Sequence, residues 1–288
     1  MTLTTIQIEE ERRRGRLAGA AAIVAGILLP TGLFWSQGIN NDRPTNNDPD
    51  ELRFFDSHAT ELLLASTLRA IAFALVAVVA MHLYTATKAR NPGLTPFVKV
   101  MGVAGPLTAA AGGLAHDLYL AFAAADFTGR EFQTIQDAKD LLDSPVRLAM
   151  VGASLGGTLA LAFWFVLGSM NAMRVGLLSR FMGILGIIIG PAFVFGLAPL
   201  VMVFWLIAVG ALFLGRWPGG LPPAWDAGEA IAWPARGRQA APPGTELEPA
   251  PGSHNGEVEA VGPGVRDPDD QTEVGPQPVE RRKRKRRR

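Results

Sequence analysis

Five charged or titratable side chains stand inside or at the edge of long apolar runs: Glu61, Arg69, His116, Asp117 and Arg147. A charge in hydrocarbon is costly and marks a candidate site by default, so depth and partners decide what each one does. Arg69 and Arg147 hold the same place in two matching segments, L-L-x-S-x-x-R, at Leu63 to Arg69 and Leu141 to Arg147. Two arginines at equivalent positions can hold an anion, and His116 or Asp117 can accept a proton. If the five converge, they form an outward-facing polar pocket. The structural alternative pairs Asp143 with Arg147 one helical turn on and Asp117 with Arg69 or Arg147 across helices, leaving His116 at an interface.

Other chemistries find little support. The chain has no Cys, which removes thiol nucleophiles, disulfides and thiolate metal sites. His58, His82, His116 and His254 have no metal-ligand spacing, and neither H-E-x-x-H nor G-x-S-x-G occurs. The glycines at 152, 156 and 157 lack the Lys-Ser/Thr of a phosphate-binding loop. No metal or cofactor is expected, and an enzyme would need a base and a nucleophile that the sequence does not offer.

The elements that position these residues are apolar helices. Of 288 residues 49% are hydrophobic and 18% charged, with 27 Lys and Arg against 26 Asp and Glu. That excludes collagen-like, disulfide-stapled and wholly disordered chains. Leu17 to Gln37, "LAGAAAIVAGILLPTGLFWSQ", carries no charge and has the ~20 residues that cross ~30 Å of hydrocarbon. Similar runs lie at about 62–84, 100–125 and 148–170, and a longer one breaks at Gly196 to Pro199 into 181–196 and 199–215. Six transmembrane helices are therefore expected. The first run follows a basic stretch but lacks an Ala-x-Ala-like cleavage site, so it reads as an uncleaved span.

Lys and Arg set the orientation, because positive residues near helix ends resist translocation. One side collects Arg12, Arg13, Arg14, Arg16, Lys88, Arg90, Lys99, Arg174, Arg180 and Arg216, whereas loops 38–60 and 126–146 are acidic. Both termini should then be cytoplasmic. Thr95-Pro96 and Ser144-Pro145 each place an N-cap hydroxyl before a proline at the first helical position. Arg69 lies about 22 Å from Tyr84 along the helix, just inside the outer surface, while Arg147 and the His116-Asp117 pair fall at the outer interface. The interior glycines Gly102, Gly105, Gly112 and Gly113, with Gly152, Gly156 and Gly157, read as close-packing points between helices. Together with the L-L-x-S-x-x-R match, "PFVKVMGVAGP" and "SRFMGILGIIIGP" suggest a parallel repeat of helix hairpins.

After Arg216 the composition changes: residues 217–288 hold twelve of the 21 prolines and few aliphatic side chains, the signature of a disordered segment. Trp217, Trp225 and Trp233 are placed in the headgroup layer. The chain ends in a basic octet, Arg281, Arg282, Lys283, Arg284, Lys285, Arg286, Arg287 and Arg288. Its partners would be anionic lipid headgroups, at about 1 kcal/mol per basic residue, or RNA.

"NAMRVGLLSRFMGILGIIIG" and "FWLIAVGALFLGRWPGGLPPAW" resemble the last helix pair of an uncharacterised family of multi-pass membrane proteins from high-GC actinobacteria. The resemblance covers about residues 12–235. It implies about six helices and a cell-membrane location, and supplies no site residues.

The expected molecule is an all-α integral membrane bundle in the plasma membrane: a basic N-terminus over 1–16, six helices over 17–216, and a disordered cytoplasmic tail over 217–288. The mean hydropathy of +0.21 is then an apolar body diluted by a polar tail. A membrane scaffold with a lipid-binding tail is the first function this suggests. A transporter or channel subunit using the polar pocket is the second, and a membrane-embedded enzyme the third.

Overall fold

The computed structural model describes residues 3–45, 47–194, 198–218 and 220–231. They are helical, with no strand among them, in the order α1 (Thr5–Asn40), α2 (Asp48–Ser57), α3 (Ala59–Arg90), α4 (Pro96–Thr128), α5 (Ile135–Leu142), α6 (Pro145–Arg174), α7 (Arg180–Val194), α8 (Ala198–Phe213) and α9 (Pro223–Ala227). All belong to one compact unit, Met1–Gln239. The basic octet and Trp233 lie outside the described residues.

Four stretches are long and apolar enough to cross a membrane: Thr5–Asn40, Ala59–Arg90, Pro96–Thr128 and Ile135–Arg174. The principal helices α1, α3, α4 and α6 run about 45–54 Å, beyond the ~30 Å of a hydrocarbon core. The last two apolar segments are shorter than six equal crossings require. With 15 and 16 residues, α7 and α8 reach only about 22–24 Å. Part of the turn expected at Gly196 to Pro199 lies outside the described residues.

Helix ends follow local chemistry. Thr4 and Gln7 form a capping box that starts α1, so most of the basic N-terminal stretch is helical. Proline at the first position starts α4 and α6 where the sequence predicts, but the Thr95 and Ser144 hydroxyls make no cap hydrogen bond. The fixed φ of proline suffices there.

The packing order closes a ring: α1 on α3, α3 on α4, α4 on α6, α6 on α7, α7 on α8, and α8 back on α1. Small residues bring the backbones together. A Cβ on Gly157 of α6 would lie 2.3 Å from the Ala109 nitrogen of α4, and one on Gly105 2.8 Å from the Leu161 nitrogen. Gly152 and Gly156, read in the same way from the sequence, face open space. Trp164, Phe165 and Trp205 fill part of the ring, with centroids 5.0–6.2 Å apart in edge-on contact.

Two acidic segments expected as loops contain short helices, α2 and α5. Both present apolar residues to a small second core of Leu52, Phe55, Leu120, Phe127, Ala138 and Leu142. This caps one end of the ring. At the opposite end residues 220–231, expected in the disordered tail, fold back onto the bundle. Trp225 is 8% exposed and donates to the Leu177 carbonyl at 3.0 Å. Its indole is therefore interior and not in a headgroup layer.

The repeat does not extend to the arginines. Arg69 sits well inside α3, whereas Leu141 and Leu142 end α5, Ser144 separates the helices and Arg147 stands in the first turn of α6. One copy of L-L-x-S-x-x-R is continuous helix and the other spans a break.

Candidate functional site

Arg69 leaves α3 against α1, where Gly32 gives it room: a Cβ there would lie 2.8 Å from the Arg69 Cγ. The stem runs over this gap and the guanidinium reaches α4, donating from Nη2 to Asp117 Oδ2 at 2.8 Å. His116 Nδ1 lies 3.1 Å from the other carboxylate oxygen. One carboxylate thus serves two side chains. The arginine and aspartate side chains are 31% and 22% exposed, so the protein does not fully enclose the pair.

Open space flanks this pair on both sides. A cavity of about 120 Å³ lies toward the α2 end, between Ser36, Asn40, Arg43 and Phe55. Another of about 300 Å³ lies between α3, α4 and α6, bordered by Ser66, Phe73, Gly113 and Ser154. Arg69, His116 and Asp117 line both. A charge pair costs less in a membrane than either charge alone, and a polar guest could exchange hydrogen bonds with it.

The two other candidates are elsewhere. Arg147 donates from Nε to the Leu142 carbonyl and lines neither cavity. Its expected pair with Asp143 does not form: at the α5–α6 break the guanidinium turns back onto a free helix-end carbonyl. Glu61 is exposed in the first turn of α3, without an ion pair among the described residues. Three of the five side chains converge. Among the described residues no group of three or more His, Cys, Asp or Glu could hold a metal.

A second polar cluster, at the opposite end, escaped the sequence reading. The Arg90 side chain is fully buried and donates to Glu11 at 2.8 Å, to the Ala224 carbonyl at 2.9 Å and to the Ala86 carbonyl at 3.0 Å. Its guanidinium carbon lies 5.4 Å from the centre of the Trp225 ring, which stacks on His82 at 5.8 Å. Asp226 reaches Arg12 at 2.7 Å. These partners are far apart in sequence, and Arg90 reads as one more positive residue at a helix end. The available signal was "PPAWDAG", with proline to start a short helix and glycine to end it.

The chain matches no family model, no curated protein and no solved structure.

Proposed function

We propose that α1, α3, α4 and α6 cross the cell membrane with the α2–α5 end outside and both termini cytoplasmic. The α7–α8 hairpin inserts beside them and returns the chain to the side it came from, so it leaves the sidedness of the termini unchanged. Support comes from the charges: Arg12 to Arg16, Lys88, Arg90, Lys99, Arg174, Arg180 and Arg216 gather at one end. In this placement the protein binds a small polar solute from outside, as a transport or solute-binding subunit. The observation that carries this reading is that the same three side chains, Arg69, His116 and Asp117, line two cavities in the half of the bundle nearer α2 and α5.

A scaffold is the second reading, and the 2.8 Å contact of Arg69 with Asp117 favours it, since satisfied charges can serve packing alone. In both readings the octet Arg281 to Arg288 holds the chain's end to anionic headgroups. Replacing both partners, Arg69→Leu with Asp117→Leu, separates the two, because an ion pair can be exchanged for apolar groups without loss of stability. Solute binding predicts normal membrane accumulation and failed complementation of a deletion strain in competitive growth. Full complementation would leave the scaffold.

A further inference from the structure

The end of the bundle around His82 holds three adjoining cavities that the solute site does not use. Arg14 and His82 line all three. One is an apolar groove of about 480 Å³ over α3, between α1 and α4, lined by Leu17, Ala77, Val78, Met81, Val103 and Leu107. It extends from Thr85 to Ala74 along α3. That is about 16 Å, close to one leaflet's share of a ~30 Å hydrocarbon core. Leu17, Val78 and Leu107 are exposed along it.

At Arg14 and His82 the groove meets a polar cavity of about 1060 Å³ that carries Arg12, Arg13 and Arg16. The carboxylates in that cavity are mostly engaged: Glu10 with Arg14, Glu11 with Arg90 and Asp226 with Arg12. Because Arg90 behind the wall takes up Glu11, the unpaired charges left in the cavity are Arg13 and Arg16 against Glu9, an excess of one positive charge. His82 is 6% exposed, and its Nε2 has no hydrogen-bond partner. The atom sits beside Gly15, 3.2 Å from where a Cβ would stand, at the border of the polar cavity. A buried polar nitrogen without a partner is costly and is satisfied when a ligand supplies one.

We infer that this end is a binding site for an anionic glycerophospholipid of the surrounding bilayer. One acyl chain lies in the groove, and the phosphate-bearing head sits among the α1 arginines within reach of His82. The inference rests on the membrane placement proposed above and is independent of the solute site. An apolar slot one leaflet deep, opening onto arginines at the interface, matches the two parts of such a lipid.

The test uses the full chain in discs of phosphatidylcholine containing a minor fraction of phosphatidylglycerol, followed by native mass spectrometry of the released protein. One phosphatidylglycerol should be retained over phosphatidylcholine by roughly tenfold. Val78→Trp, which fills the groove from its exposed side, and Arg14→Gln, which removes a head contact, should each abolish that preference. Leu148→Trp, on an exposed face of α6 away from the groove, should keep it. A chain that enters the discs and retains both lipids alike overturns this inference and leaves the membrane placement standing. A chain that stays out of the discs overturns both.

Discussion

Arg69 Nη2 and Asp117 Oδ2 meet at 2.8 Å across the α3–α4 contact, and Gly32 on α1 supplies the gap through which the arginine stem passes. One polar contact therefore ties α3 to α4, and α1 packs against its arginine stem. The same contact forms a wall of both cavities in that half of the bundle.

Removing one partner strands the other. Asp117→Leu should destabilise the protein by about 2 kcal/mol, below the ~3–5 kcal/mol of a fully buried pair because both side chains are partly exposed. Adding Arg69→Leu should recover most of that loss. Thermal unfolding of the single and double variants in detergent measures the coupling.

The α4–α6 contact makes a sharper distinction. Gly157→Ala places a Cβ 2.3 Å from the Ala109 nitrogen, and should cost roughly 1–3 kcal/mol as the helices are pushed apart. Gly152→Ala faces open space, and should instead stabilise by up to ~1 kcal/mol through helix propensity. Opposite shifts in melting temperature from the same substitution five residues apart are the expected result.

Trp225 fastens the segment after α8. It stacks on His82, sits beneath Arg90 and donates to Leu177. Trp225→Ala should cost about 3 kcal/mol. It should also expose residues 220–231 to protease while the rest of the ring stays resistant, which limited proteolysis with mass mapping would show.

The long helices were legible in the sequence because uncharged runs of spanning length have few other uses, and prolines at 96 and 145 start their helices as predicted. The pairing of Arg69 with Asp117 was one of the options the sequence left open. What sequence could not give was direction around a helix: Arg147 lies near the right depth but turns back to Leu142, and Gly152 faces away from the neighbour that Gly157 touches. The cluster at Arg90 was hidden for a different reason. It is assembled from Glu11, Arg90 and Trp225, three positions whose local contexts read as basic helix end, positive-inside residue and interfacial aromatic. Amphipathic patterning in 48–57 and 135–142 was masked by the acidic residues around it, so two capping helices read as loops.

Water access to the outer half tests the central claim most directly, and the absence of cysteine makes the chain a ready background for it. Ala121→Cys lines the smaller cavity, Ser154→Cys the larger, and Ile71→Cys is an exposed position two residues from Arg69 that lines neither. In intact cells a membrane-impermeant maleimide should label positions 121 and 154 rapidly and leave 71 unlabelled. Silence at 121 and 154, or equal labelling at 71, would contradict a solvated outward-facing pocket around Arg69 and Asp117.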